Sequence, residues 1–390
     1  MKVIRAKTPW SARKRQFLLC LARDLRSVNI SARSVTHNRT IRFSARIPDH
    51  TTDGISTYME LTRSAQIRAA RSFIIRVEQS GIKKLFLTGS DLKIECISPR
   101  IHICRTREDF EIFRYCGLLQ SVPSGQRIGR RVSALVYDDG QYDHGTIMGA
   151  IGLASSMYTL GCRDAYLGWV GRDAKKLKDR GLKRIMDLAL CVSVPPYSFL
   201  LGGKLMALLA MTDPLRKEFR RKYGTPLLGV GTSCATGLHC PIFNRIMVRP
   251  GGLYRHIGET VGYTFSFFSP DTMRAARLLT SSQEEVQQGE FSLRPMRILN
   301  QALRACGLPS GPLMRLGLRK AIYFGVLSEK ALSRLKTGGE VAPKDKLAAS
   351  DAIQYWKVVL LSKRAQQDET LERVKSFSTE QLRLGEKSES

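Results

Sequence analysis

The chain has 390 residues, 43% of them hydrophobic, with 63 Lys and Arg set against 34 Asp and Glu for a formal net charge of +29. The apolar fraction excludes a disordered chain, and the length allows two domains or one large domain with arms. The charge surplus points to a polyanionic partner, nucleic acid ahead of an acidic membrane surface.

The cations are mostly arginine interleaved with apolar residues, a pattern that suits folded elements and phosphate forks. Residues 1–50 hold 12 Lys or Arg and only two acids, Asp24 and Asp49. The nine cysteines form no Cys-x-x-Cys pair, so the expectation is a reducing compartment and no metal site. No signal-peptide pattern opens the chain, and no apolar run nears the ~20 residues a bilayer needs. The expected location is therefore cytoplasmic, without a membrane partner.

Residues 1–125 read as a basic, mainly helical region. "SARKRQFLLCLARDLRS" predicts a helix capped by Ser11, and its Arg13, Lys14 and Arg15 are candidate phosphate contacts. "ELTRSAQIRAARSFIIRVEQSG" predicts a second helix with Ile67, Ala70, Ile74 and Val77 on one face, ended by Gly81. "REDFEIFRYCGLLQSVPSG" closes the region with a short helix and a turn.

Residues 126–270 change character. "RRVSALVYDDG" predicts a strand ending in a hairpin signal and opening on Arg130 and Arg131, two further candidate phosphate contacts. "GTIMGAIGLASSMY" predicts a strand whose glycines allow a bulge or a close backbone approach. "RDAYLGW" is read as a continuation of the sheet. "GLKRIMDLALCVSV" supplies the next strand. "KLMALLAMTDPLRKEFRRKYG" gives one or two helices, with Asp213 as N-cap and Pro214 at the first position of the second. "TPLLGVGTSCA" and "YRHIGETVGYTF" predict strands, with "PIFNRIM" a short helix between them.

Residues 271–390 read as helical and polar, with helices in "EVQQGEFSLRPMRILNQALRACG" and "ASDAIQYWKVVLLSKRA" and disorder expected in the final "LRLGEKSES".

The densest local grammar is "VSVPPYSFLLGGKLMALL", residues 192–209. A β-rich run meets two prolines, then Gly202, Gly203 and Lys204, then a helical pattern. Unpaired amides and the helix dipole favour an anion at such a turn. Tyr197, Ser198, Gly202, Gly203 and Lys204 are its candidate residues, with Arg163, Asp164, Asn244 and Arg245 as further polar candidates. The turn is not a Walker loop, because Ser198 and Leu205 occupy the positions of its first glycine and its Ser or Thr. Close helix–sheet packing alone would also call for two glycines. His239-Cys240 and the Asp138-Asp139…Asp143-His144 group have chemistry-bearing side chains, but neither has the spacing of a recognised site.

The order of strands, glycine turn and helices resembles the GNAT acyltransferase fold, which implies a mixed, mostly antiparallel sheet flanked by helices, with helical N- and C-terminal extensions. In that family the turn cradles the pyrophosphate of coenzyme A. Here Gly202 fits its pattern, while Phe199 and Lys204 depart from it. No cofactor is expected, and coenzyme A is the alternative the turn allows. "SVPSGQRIGRRVSALVYDDG", "IMGAIGLASSMYTLGCRDAYLGW", "GLKRIMDLALCVSVPPYSFLLGGKLMA" and "GTSCATGLHCPIFNRI" together resemble the DruA family of the Druantia anti-phage defence systems, over roughly residues 100–270. That resemblance implies a role in anti-phage defence beside other proteins of the same operon, and supplies no catalytic mechanism. The expected function is a nucleic-acid-associated (DNA or RNA) defence component. Two alternatives stand beside it: a GNAT-like enzyme that modifies DNA or a defence partner, and a structural adaptor in a defence or mobile-element complex.

Overall fold

The computed structural model describes residues 2–47, 55–120, 129–142, 145–172, 174–234, 240–248, 252–260, 268–280, 295–314, 320–339, 346–382 and 384. In chain order its elements are β1 (Lys2–Pro9), α1 (Ala12–Ser27), β2 (Ser31–His37), β3 (Thr40–Ile47), α2 (Ile55–Ala69), α3 (Arg71–Gln79), β4 (Pro99–Ile103), α4 (Arg107–Leu119), β5 (Arg131–Asp138) and β6 (Thr146–Ser155). They continue with α5 (Gly161–Tyr166), α6 (Ala174–Leu182), β7 (Ile185–Ser193), α7 (Gly202–Leu209), α8 (Asp213–Tyr223), β8 (Gly229–Cys234), β9 (Tyr254–Glu259), α9 (Pro270–Thr280), α10 (Pro295–Ala305), α11 (Ser310–Met314), β10 (Ala321–Val326), α12 (Glu329–Thr337), α13 (Ala349–Tyr355) and α14 (Asp368–Lys375). A π-helical stretch at Trp356–Leu361 and a last turn at Ser362–Arg364 extend α13.

The chain divides into two compact units, one of residues 1–71 and 261–319 and the other mainly of residues 72–260 and 320–390. In the first, β1, β3 and β2 form an antiparallel sheet in that order. β2 and β3 are joined by Asn38 and Arg39, both at positive φ (43° and 54°), the two-residue turn that matches the twist of a hairpin. Alternate residues Ile4, Ala32, Ile41, Phe43 and Ala45 are buried on one face, and α1 packs there with Phe17, Leu18, Leu21 and Leu25. Asp24 of α1 is buried and accepts hydrogen bonds from Ser269 N (2.7 Å) and Thr272 Oγ1 (2.6 Å), tying α1 to the start of α9.

In the second unit seven strands form one sheet in the order β4-β5-β6-β7-β8-β10-β9, antiparallel throughout except between β7 and β8. β6 is buried along nearly its whole length. The reason lies in its glycines. A Cβ on Gly149 would stand 2.2 Å from Val192 O and 2.9 Å from Met206 Sδ of α7, and one on Gly152 would stand 2.9 Å from Phe113 of α4. Gly149 and Gly152 point to opposite faces, so helices cover the sheet on both sides. The expected close backbone approach is therefore present, and register shifts mark bulges at Gly152/Leu153 and Val136/Tyr137.

Several expectations change. "RDAYLGW" does not continue the sheet: Gly161–Tyr166 is a helix, held by Leu167 N to Arg163 O and Asp164 N to Leu160 O. "PIFNRIM" forms successive turns, with Arg245 at positive φ, rather than a helix. The helix over residues 60–80 is parted at Ala70 into α2 and α3. Thr212, not Asp213, is the N-cap of α8, which moves Pro214 to the second position. The helical N-terminal region holds four strands, the three of the small sheet and β4 of the main one, and the helical C-terminal region supplies β10, which lies between β8 and β9. Within the tail expected to be disordered, Leu382 and Leu384 are buried; Tyr115 Oη donates to Leu382 O (3.0 Å), and Leu384 N donates to Glu78 Oε1 (3.1 Å). Residues 385–390, Asp143, His144, His239 and the stretch 281–294 lie outside the described residues.

Because Gly149 meets backbone rather than a movable side chain, Gly149→Ala is expected to destabilise the protein by about 1–3 kcal/mol or more through overpacking. A urea unfolding curve should show a lower midpoint with an unchanged slope.

Candidate functional site

Pro195 and Pro196 have no N–H to give a neighbouring strand, so regular pairing of β7 stops beside them. The last strand-like bond runs from Val194 N to Met148 O (2.9 Å). Tyr197–Leu200 then form a 3-10 turn, Leu201 takes a left-handed conformation (φ 58°), and α7 starts at Gly202, as the sequence predicts. Gly202 is required for packing: a Cβ there would fall 2.2 Å from Ser193 Oγ and 2.7 Å from Tyr197 O. Gly203 has no such constraint, since its nearest neighbour would be Ile242 at 3.5 Å. The Leu201 carbonyl accepts from Lys204 N (2.9 Å) and from Trp356 Nε1 (3.2 Å), so the π-helical stretch after α13 covers this side of the turn. Phe199 is held on the same side by Arg364 Nε at its carbonyl (3.2 Å) and by Arg373 over its ring.

Lys204 is half-buried, and its ammonium donates to the carbonyl of Asn244. Burial lowers its pKa, and the neighbouring Arg245 pushes the same way against the opposing Cys240. The Asn244 side chain hydrogen-bonds with Tyr323, and Arg245 is exposed. Tyr197, Ser198, Gly202, Gly203, Lys204, Asn244 and Arg245 are thus brought together beyond the C-terminal end of β7. Tyr197 is fully buried, its hydroxyl 2.9 Å from Asp138 Oδ2 and 2.7 Å from Thr146 Oγ1. Asp138 also accepts from Ser98 N (2.6 Å), Gly140 N (3.0 Å) and Gln141 Nε2 (3.0 Å), so the carboxylate of the predicted hairpin tip is an internal hub. Burial first, then the Asp138 charge, pushes the Tyr197 phenol far up. A hydrogen bond with Cys234 and burial push the Cys240 thiol up, away from the thiolate that a nucleophile needs.

The other candidates are committed elsewhere. Arg163 is 1% exposed and pairs with its neighbour Asp164 (Nε–Oδ1 3.0 Å, Nη2–Oδ1 2.5 Å). It also donates to Met157 O (2.6 Å) and Tyr158 O (3.0 Å), while Lys178 Nζ reaches Asp164 Oδ2 at 2.7 Å. On a helix the adjacent pair can close this way; on the strand first expected, the two side chains would face apart. Arg130 stacks by Phe219 and Tyr223 and donates to the carbonyls of Leu182, Lys183 and Ile185 at the end of α6. Arg131 exchanges main-chain bonds with Tyr223 Oη (2.6 and 3.0 Å). In the first unit, Lys14 reaches back to Thr8 Oγ1 (3.0 Å), while Arg13 and Arg15 are exposed on α1.

Sequence reasoning missed one polar pair, His102 Nε2 at 2.8 Å from Asp109 Oδ1. Burial raises the Asp109 pKa, but bonds from Arg105 N, Thr106 N and His102 outweigh it and hold the carboxyl low. The Thr106-x-x-Asp109 capping box was the available signal. Among the described residues no three His, Cys, Asp or Glu side chains converge as a metal site would require.

A family model described as Druantia protein DruA matches residues 49–337. A curated relative, the Druantia protein DruA of Escherichia coli (strain UMEA 4076-1), is 26% identical over 340 residues, 81% of each chain. No solved structure matches.

Removing one partner of a buried ion pair strands the other. Asp164→Ala is therefore expected to destabilise the protein by about 3–5 kcal/mol, read as a fall in the chemical-denaturation midpoint. Substituting the exposed Arg245 by Ala should leave that midpoint within about 0.5 kcal/mol of the wild type.

Proposed function

Because the chain belongs to the DruA family, we propose that it is a cytoplasmic, nucleic-acid-associated component of a Druantia-type anti-phage defence system, working with other proteins of its operon. The observation that carries the nucleic-acid part is the charge. The net charge is +29, and six of the carboxylates (Asp24, Asp109, Asp138, Asp164, Asp187 and Glu218) are buried among cations, hydroxyls and amides. The outer surface is accordingly richer in cations than the composition alone implies. Among the described residues no helix is long and apolar enough to cross a membrane.

A second reading has an observation of its own. The strand order, with its single parallel pair, supports a GNAT-like sheet. β7 and β8 pair only from Ile185↔Gly229 to Asp187↔Gly231, so the rest of β7 runs on to the turn and α7 without β8 beside it. That is where an acyl carrier would enter such a sheet. Lys204 and Arg245 stand by the start of α7. The anion they would meet is a nucleic-acid phosphate in the first reading and the pyrophosphate of coenzyme A in the second.

Duplex binding by the intact chain should weaken with a log–log salt slope of about −0.9 per phosphate contacted. Absence of binding at low salt, or indifference to salt, would remove the first reading. Lys204→Ala separates the two: reduced nucleic-acid affinity with an unchanged unfolding midpoint supports the first. Saturable acetyl-CoA binding in calorimetry that is lost in Lys204→Ala, with nucleic-acid binding intact, would transfer the function to the enzyme.

A further inference from the structure

The sheet of the first unit has one face under α1 and one face open. On the open face β1 presents Val3, Arg5 and Lys7, β3 presents Arg42 and Arg46 beside Ser44, and β2 presents Ser31, Arg33, Val35 and His37. The registers set these residues in rows across the sheet: Val3-Arg46-Ser31, Arg5-Ser44-Arg33, Lys7-Arg42-Val35 and Pro9-Thr40-His37. The first three rows each hold at least one permanent cation, and the three strands contain no Asp or Glu. Through residue 48 the single carboxylate is Asp24, buried on α1 and hydrogen-bonded to Ser269 and Thr272. Among the described residues no carboxylate pairs with Arg5, Lys7, Arg33, Arg42 or Arg46. These strands precede residues 49–337, the stretch matched by the family model.

From this juxtaposition we infer that the open face of β1-β3-β2 is a duplex-DNA-binding surface, laid into the major groove. The inference rests on the nucleic-acid reading above and gives it a location. Successive rows on one face lie about 6.8 Å apart, two residues of strand, which equals two base-pair rises of about 3.4 Å. Three strands span about 10 Å, within the ~12 Å width of the B-form major groove. The deep, narrow major groove of A-form RNA would exclude such a sheet. Arg5 and Lys7 on one edge strand and Arg33 on the other meet phosphates along the groove walls, while Arg42 and Arg46 of the central β3 face the base edges, where a guanidinium pairs with guanine O6 and N7. Trp10, 52% exposed, follows β1, and its main-chain N–H donates to the Arg39 carbonyl at the hairpin tip (2.8 Å). The other two tryptophans, Trp169 and Trp356, are buried, so Trp10 reports on this surface.

The test compares the intact chain with Arg5→Gln/Lys7→Gln/Arg33→Gln on the edge strands of the sheet and with Lys363→Gln/Lys375→Gln in the second unit, using labelled duplex DNA over about 50–200 mM salt. Wild type should bind with quenching of Trp10 emission. The triple variant should bind about a hundredfold more weakly at 0.1 M salt, with a slope shallower by about 2.7, three contacts at about 0.9 each. The double variant should stay within about twofold of wild type. All substituted positions are exposed, and unfolding midpoints should coincide. If wild type binds and the triple variant matches it, or the double variant loses as much as the triple, the sheet assignment falls and the nucleic-acid reading stands. Failure of wild type to bind duplex at low salt removes both. Displacement of duplex by poly-glutamate as readily as by unlabelled duplex would also overturn the assignment, in favour of an acidic protein partner.

Discussion

A chain with nearly two cations for every carboxylate must choose where its carboxylates go, and the structure depends on that choice. A buried carboxylate is tolerable only when cations or hydrogen-bond donors surround it. Here the buried ones serve as junctions. Asp138 gathers the 96–98 segment, the β5 turn and Tyr197; Asp164 closes Arg163 and Lys178 around the entry to α5; Asp187 takes Ser156 Oγ at 2.6 Å. Glu218 collects Arg105, Arg221 and Lys222. Each junction stabilises the interior, and each also takes a negative charge away from the exterior.

Local grammar made much of the main sheet legible. β5, β6, β7 and the switch into α7 follow from runs of β-formers, paired prolines and a glycine turn, all of which act within a few residues. What escaped was either short or distributed. α5 has six residues, too few to show a helical period against the aromatic Tyr-Leu-Gly-Trp run that overlaps it. α6, "AKKLKDRGL", is charged at five of nine positions and has only Leu177 and Leu182 as large apolar residues, too few to count a period. The strands "KVIRAKTP", "SARSVTH" and "TIRFSARI" do alternate at period two, but with arginine as the outward residue, which also suits a solvated helix. "AIYFGV" is a six-residue apolar run buried on both faces, the case that periodicity cannot assign.

The candidate site divides the same way. The turn and its glycine were visible because a backbone constraint writes itself into adjacent residues. The partners were not: Asn244, Trp356 and Asp138 lie 40, 155 and 59 residues from the groups they bond, and no spacing rule links them. Arg130 and Arg163 show the converse error. Their residue type suggested exposure and ligand binding, whereas their guanidinium groups satisfy helix-end carbonyls and a buried carboxylate.

The position of β10 has a consequence for how the molecule is made. β9 pairs with β10 alone, and β8 has β10 as its antiparallel neighbour. During synthesis both strands emerge well before residue 321, so their edges wait unpaired while some sixty residues follow β9 from the ribosome. An unpaired edge is an invitation to other chains. The expected burden on the cell is thus a co-translational one: a chaperone-dependent interval that closes only when the last quarter of the polypeptide supplies the missing strand.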